Sequence, residues 1–392
     1  MEMGISLPCC LQKMKEEKIY DTAIIGGGLA GLNLSILLQR LGHSVILFEK
    51  ETYPFHKVCG EYISLESWDF LAEEIGVPLE EMNVPIIKKL WVTSPDGSSL
   101  KTDLDLGGFG ISRYKLDFIL KEIAEKAGVK ILENCKAEDI IFINDIFEIK
   151  TNHENFKAKV CAGSWGKRSS IDVKWKRSFI NQTSSRLNNY VGIKYHVKIN
   201  FPADLIALHN FKDGYCGMSK IEDDKYCVCY LTKASNIKKA GSIEKAEKEI
   251  LSQNPHLKNV FKNMVHCYDA PLSISQISFS KKNAVENNVL MIGDAAGMIT
   301  PLCGNGMSMA MHGAKTASVS ISAFLNKTIS RSEMEKNYSS EWKQLFATRL
   351  ATGKLVQYLF GRRTATNLLV KLMNRSNFLT QKIIGLTHGK RF

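Results

Sequence analysis

Residues Ile19 to Ile25 form an apolar run rich in strand-favouring side chains, and Gly26-Gly27-Gly28 ends it. From Leu29 to Leu41 the apolar residues recur at helical spacing, with Gly42 as a stop. Val45 to Phe48 is a second short apolar run and ends at Glu49. The opening unit therefore reads strand, glycine turn, helix, strand. Residues 85–106 hold strand-like runs about a turn at Pro95-Asp96-Gly97. An amphipathic helix is expected over Lys115 to Ala127, with a strand at Val129 to Leu132. A hairpin is expected about Asn144-Asp145, and a strand at Phe156 to Cys161. From Asn189 to Ser280 the pattern is mostly β, with one charged helical stretch near Ser242 to Leu251. Val289 to Ile292 is another buried strand, and Met307 to Phe324 a long helix of small residues.

This order predicts an α/β chain in which a Rossmann-like nucleotide-binding domain is interrupted by a β-rich substrate domain and followed by C-terminal helices. The expected divisions are an extension over 1–18, a nucleotide-binding part over 19–188 with a substrate-domain insertion near 59–108, the β-rich domain over 189–280, a second nucleotide-binding part over 281–330, and a basic helical region over 331–392.

Gly26-Gly27-Gly28-Leu29-Ala30-Gly31 fits G-x-G-x-x-G in the context that gives the motif meaning, between a strand and a helix. The first glycine allows the tight turn, the second lets a pyrophosphate approach the backbone, and the third lets helix and strand pack closely. Free N–H groups at the helix start favour the phosphate charge. Glu49 follows at the end of the second strand, where a carboxylate accepts hydrogen bonds from ribose hydroxyls. Leu29, Ala30 and Lys50 are grouped with these as cofactor-side positions. An acid at Glu49 disfavours a 2′-phosphate.

A second motif decides between flavin and nicotinamide dinucleotides. Val289 to Ile292 ends in Gly293-Asp294, and Pro301-Leu302-Cys303-Gly304-Asn305-Gly306-Met307 leads into the long helix. A helix N-terminus there can aim amides at the electron-rich edge of a reduced isoalloxazine ring. Asp294 is suited to ribityl hydroxyls, and Gly304, Asn305, Gly306 and Met307 to the ring edge. FAD is therefore the expected cofactor.

With both motifs in view, the chain over residues 19–330 resembles the FAD-dependent superfamily of aromatic hydroxylases, geranylgeranyl reductases and flavin-dependent halogenases. Ile111-Ser112-Arg113-Tyr114-Lys115-Leu116-Asp117 is similar to the segment where those enzymes set an arginine near the cofactor, so the resemblance implies an FAD contact for Arg113. A surface residue at a helix start is the plain alternative. The hydroxylases' mid-chain Asp-Gly motif is missing from Cys161 to Ser169, which leaves no identified nicotinamide site, although NAD(P)H stays open as electron donor. The halogenases' Trp-x-Trp-x-Ile-Pro is also missing, and Trp165 and Trp175 are too far apart to replace it. Pro54 to Glu61 resembles the Lys-x-Cys-Gly segment of the geranylgeranyl reductases. It makes Cys59 a candidate proton donor or redox partner and His56 a candidate acid or base, beside the reading of Cys59 as a packing residue. The resemblance implies hydride transfer to or from a carbon–carbon bond of an apolar, lipid, isoprenoid or polyketide-like substrate, with NAD(P)H- and oxygen-dependent hydroxylation as the alternative and halogenation or membrane-linked electron transfer behind it. Alternation puts Tyr226, Val228 and Tyr230 on one face of a strand and Cys227 with Cys229 on the other, and one face is a candidate wall for an apolar pocket.

Composition narrows this further. No run of about 18 apolar residues appears, so no membrane span is expected. The ten cysteines form no C-x-x-C pair and no spacing suits zinc, so neither a metal site nor a disulfide framework is expected. The first residues lack the order of a signal peptide, and a cytoplasmic location follows as the expectation. The net charge of +12 gathers at the C-terminal end, where ten Lys or Arg follow Glu341 and no acid does. The basic residues alternate with leucines, which describes amphipathic helices with a basic face. A docked helix with a solvated face and peripheral contact with the inner face of an anionic membrane are both consistent with it. Nucleic acid is not expected, because no aromatic-rich basic module accompanies the charge.

Overall fold

The computed structural model describes residues 18–180, 189–300, 304–360, 362–376, 380–382, 384–385 and 389–392. The expected extension, apart from Lys18, and the Pro301-Leu302-Cys303 part of the second motif lie outside these residues. The chain opens with β1 (Ile19–Ile25), α1 (Leu29–Arg40) and β2 (Val45–Phe48), then contributes β3 (Tyr62–Ser64), β4 (Ile86–Thr93) and β5 (Ser99–Gly110) to a second sheet. It returns to the first sheet through α2 (Arg113–Lys126), β6 (Lys130–Leu132), β7 (Ala137–Ile143), β8 (Ile146–Thr151) and β9 (Asn155–Gly163). After α3 (Ser170–Lys174) come β10 (Tyr190–Lys198), β11 (Leu205–Phe211), β12 (Gly214–Lys220), β13 (Tyr226–Lys233), α4 (Ala234–Ala240), α5 (Ile243–Glu249), α6 (Pro255–Asn263), β14 (Val265–His266) and β15 (Leu272–Ile277). β16 (Val285–Glu286), β17 (Val289–Met291), α7 (Gly306–Leu325), α8 (Arg331–Leu359) and α9 (Arg363–Arg375) complete it.

The first sheet runs β16-β17-β9-β1-β2-β6, with the β7–β8 hairpin added beside β9. Strands β17, β9, β1, β2 and β6 are mutually parallel, and their register aligns Met291, Gly163, Ile25, Phe48 and Leu132 in one row. Everything that follows those residues therefore emerges along a single edge, the carboxyl edge where open α/β sheets bind ligands. α1 packs on both α2 and α7, and these helices join the strands in a continuous apolar core, which is why the strands read as unbroken apolar runs.

The second sheet runs β14-β10-β13-β12-β11-β4-β5-β3, with β15 paired to β10. It is antiparallel except where β11 lies parallel to β4. Where one helical stretch was expected between 189 and 280, there are three helices, α4, α5 and α6. Tyr226, Val228 and Tyr230 are buried with Leu251, Leu257 and Val260 beneath these helices, so the tyrosine face is core and not a substrate wall. α6 escapes pattern reading because only nine residues carry it, and its start depends on Asn254, whose side chain accepts from the N–H of His256 and is itself buried. The opposite face carries Lys194 and His196, with Cys229 and Cys227 as their cross-strand neighbours.

Candidate active site

The glycine turn sits at the carboxyl edge of β1. Gly26 has φ +107°, and a Cβ there would lie 2.6 Å from the carbonyl oxygen of Ser164 on the neighbouring strand end. A Cβ on Gly31 would lie 2.1 Å from the oxygen of Gly26. Both positions are closed to side chains, Gly26 by the backbone that follows β9 and Gly31 by the packing of helix on turn. Gly28 differs: the nearest atoms to its Cβ position are Arg113 Nη2 and Lys57 Nζ, both at 3.6 Å. That side is an open, cationic cradle. α1 begins directly after it, with no side-chain cap and no acid in its first turn. Leu29 and Ala30 are buried, so they offer backbone N–H groups to the crevice and not side chains. Glu49 is buried and accepts from the N–H of Gly27 at 2.8 Å and of Glu51 at 3.1 Å, which fixes its carboxylate beside the turn. Lys50 points outward and pairs with Glu51 at 3.4 Å.

The second motif meets the first. Gly293, at φ +61°, lies between the helices: its Cβ position is 3.2 Å from Ala30 Cβ on α1 and 3.3 Å from Ala310 Cβ on α7. Asp294 lies in the short turn Gly293–Ala295 that follows. Gly304, at φ +68°, packs against the ring of Tyr62. Asn305 is the N-cap position of α7, which begins at Gly306 and, like α1, has no acid in its first turn. Two buried cations hold the Asp294 turn from behind. Lys282 Nζ donates to the carbonyl oxygens of Asp294 at 2.7 Å and Lys167 at 2.8 Å. Arg177 donates to the oxygen of Ala295 at 3.2 Å while pairing with Asp172 at 2.8 Å and Glu286 at 2.7 Å. Burial pulls the Lys282 ammonium down to about 8, against the attraction of Asp294.

The segment from His56 to Glu61 spans the two sheets. Glu61 is fully buried at φ +54°. Its Oε1 accepts from Lys194 Nζ at 2.5 Å and from the N–H of Arg113 at 2.9 Å, and its Oε2 meets His196 Nε2 at 2.5 Å. Lys194 also donates to the oxygen of Lys57 at 3.0 Å, and Cys227 Sγ to the oxygen of Cys59 at 3.3 Å. Burial alone would push the Glu61 carboxyl up, but the His196 hydrogen bond and the Lys194 charge outweigh it and leave it below the ordinary carboxylate value. Arg113, with 12% of its side chain exposed, is not a surface residue; it grips Asp117 with two bonds of 2.7 Å, and Lys57 joins the same carboxylate at 3.0 Å. The ligand atoms of Glu61, His196 and Cys227 lie within 4.8 Å of one another. With the Lys194 ammonium on the same carboxylate, this cluster is already neutralised, and its chemistry is that of an ion pair rather than of a cation site.

The two residues proposed for catalysis part company. Cys59 is half-buried, and its Sγ lies 3.6 Å from Sδ of Met307, at the start of α7. His56 faces the other way. Its ring stacks on Tyr114 at 4.5 Å and meets Tyr268 at 5.1 Å and His196 at 5.3 Å edge-on. Burial and the Lys194 charge lower its pKa, and its Nδ1 has no hydrogen-bond partner among the described residues. His56, His196 and Tyr268 are shared by two adjoining cavities, each of about 240 Å³. Their linings are polar and aromatic, with Lys115, Glu222 and Lys225 on one side and Tyr195 and Leu272 on the other. Trp165 and Trp175 pack on each other at 5.9 Å, and Trp165 Nε1 donates to Asp172, the carboxylate that pairs with Arg177.

An open cationic cradle at Gly28, two helix starts that converge at Gly293 and a buried Glu49 fit a flavin dinucleotide. The chain belongs to the FAD binding domain family, whose sequence profile matches residues 19–352. It is a flavin-dependent enzyme by that membership. It is 26% identical over 363 residues to conditioned medium factor receptor 1 of Dictyostelium discoideum, covering 84% of this chain and 69% of that protein. It is 24% identical over 357 residues to the digeranylgeranylglycerophospholipid reductase of Methanococcus vannielii, covering 85% and 82%. It is 25% identical over 370 residues to a pyrrole-2-carbonyl carrier-protein chlorinase of Pseudomonas fluorescens, covering 80% and 78%. Among solved structures, a geranylgeranyl bacteriochlorophyll reductase-like protein of Thermoplasma acidophilum superposes with a TM-score of 0.75 at 16% identity, over 94% of this chain and 95% of that one. The flavin-dependent halogenase CmlS does so with a TM-score of 0.74 at 18% identity, over 88% of this chain and 65% of that one. At these identities the structures speak for a shared fold.

The glycines separate folding from binding. Gly31→Ala is expected to lower apo-protein stability by a few kcal/mol through overpacking, whereas Gly28→Ala keeps apo stability within about 0.5 kcal/mol and weakens FAD binding. Thermal melts of the apo forms and fluorescence titration with FAD measure the two effects. Lys282 makes a second prediction. Its folded pKa lies below its unfolded value of 10.5, so above pH 8 the unfolded chain binds the extra proton and stability rises towards pH 10.5. Denaturant melts at several pH values should show wild type gaining on Lys282→Met across that window; a constant difference would rule the linkage out.

Proposed function

We propose that the chain is an FAD-dependent oxidoreductase that moves a hydride to or from a carbon–carbon bond of an apolar lipid, isoprenoid or polyketide-like substrate, with NAD(P)H as the electron donor. The observation that carries this reading is the Lys57-Val58-Cys59-Gly60-Glu61 segment, clamped through Glu61 and Lys194 so that Cys59 lies against Met307 at the mouth of α7. Bound FAD supplies the two-electron chemistry. Saturation of a double bond needs a hydride at one carbon and a proton at the other, and the Cys59 thiol is the candidate source of that proton. His56, kept largely neutral near pH 7 by its lowered pKa, is suited to exchange protons with the cleft beside Tyr114 and Tyr268. The reductase relative, matched over more than four-fifths of both chains, supports the reading.

Halogenation is the second reading, favoured by the chlorinase relative and weakened by the missing Trp-x-Trp-x-Ile-Pro sequence. Oxygen distinguishes them. The photoreduced enzyme, mixed anaerobically with a geranylgeranyl lipid, is expected to return to the oxidised flavin spectrum while product mass rises by one hydrogen pair per double bond. A product that forms only with oxygen, carrying oxygen or halide, would exclude the reductase. With FAD loading unchanged, Cys59→Ala should lower turnover by about 10²-fold or more, the usual range for a lost general acid. Unchanged single-turnover rates would remove Cys59 from the chemistry.

A further inference from the structure

We propose that the outer face of α9, together with the end of α8, is a docking surface for an anionic lipid bilayer. α9 is attached to the protein by one face only. Thr366, Val370 and Met373 are buried, and the two apolar residues pack in one cluster with Leu100 and Leu104 of β5. At 100° per residue, the opposite face holds Leu368 and Leu372 in one row and Lys371 and Arg375 in the next. Leu368 is 60% exposed and Leu372 45%. The last turns of α8 continue the pattern with Leu355, 60% exposed, and Tyr358, 44% exposed. Arg362 stacks over the Tyr358 ring at 3.9 Å, which holds a cation at the edge of the apolar positions.

Neither Leu368 nor Leu372 contributes to the core, unlike Leu369 between them, and exposed leucines at i and i+4 beside long basic side chains match what an interface-lying helix presents to lipid: apolar tips for the acyl boundary and cations for phosphate and carboxylate headgroups. Charge complementarity favours an anionic surface strongly, because no acid follows Glu341 anywhere in the sequence while ten Lys or Arg do. Among the described residues no helix is long and apolar enough to cross a membrane, so the contact is peripheral. This inference stands apart from the reaction proposed above.

Co-sedimentation of the full chain, loaded with FAD, tests it with two sets of vesicles, phosphatidylcholine alone and phosphatidylcholine mixed with phosphatidylserine. The protein is expected to bind the mixed vesicles, to release them as salt rises, and to leave the neutral ones in solution. Lys371→Glu with Arg375→Glu, and separately Leu368→Ser with Leu372→Ser, should each lower vesicle affinity at least about tenfold. Flavin absorbance and melting temperature should not change, since all four side chains point away from the core. No binding to the mixed vesicles, equal binding to both kinds, or full binding by both folded variants would overturn the proposal. So would capture by soluble polyglutamate with no vesicle binding, which would mark the face as a site for an acidic protein.

Discussion

The carboxylate of Glu61 is the constraint on which the arrangement of the two sheets depends. An isolated charge in so dry a place would cost several kcal/mol, and it persists because Lys194, His196 and the N–H of Arg113 all converge on it. Those three partners come from two different regions: Lys194 and His196 from β10 of the second sheet, Arg113 from the start of α2 beneath the first. Ionisation therefore becomes geometry. The carboxylate cannot be satisfied unless the second sheet is docked over the glycine turn. The strained backbone at Glu61 is a consequence of the same demand, for a residue with a Cβ at φ +54° needs its side chain held firmly to remain there. Cys59 and Gly60, immediately upstream, inherit their position from this anchor.

Local patterns revealed one half of this and not the other. The strand, glycine turn, helix and terminal Glu49 were legible because each is a short-range signal, and the parallel register merely brings their ends into line. The Gly293-Asp294 turn and the start of α7 were legible for the same reason. The Glu61 cluster was not, since Glu61 lies more than 130 residues from Lys194 and His196 and each alone looks ordinary: a lysine and a histidine inside a β-strand suggest a solvated face. The only local hint was alternation, which sets Lys194 and His196 on one side of β10. Lys282 and Arg177 were hidden more completely. A lysine in a serine- and lysine-rich stretch carries no mark of burial, and only the fold shows it bonded to the turn of Asp294. The two faces of β13 stayed unassigned for a related reason: alternation divides them correctly but cannot say which one is covered, and α5 and α6 cover the one with the larger rings.

Charge placement around the crevice then follows a simple rule. Near Gly28 stand Arg113 and Lys57, and Asp117 is shared by both, so two positive charges are offset by one negative. Burial would raise the Asp117 carboxyl, but Arg113 and Lys57 outweigh it, which keeps that offset ionised and the local sum at one positive charge. The starts of α1 and α7 add partial positive charge and admit no acid in their first turns. Next to Arg113 and Lys57, Glu61 and Lys194 cancel. Positive charge is thus gathered beside the Gly28 turn, where a diphosphate would lie. A flavin carries its own charge in the pyrophosphate and its reactivity in the ring. The cations behind Asp294 complete the separation: Lys282 donates to the main-chain oxygen of Asp294 and Arg177 to that of Ala295, so both brace the backbone of the turn.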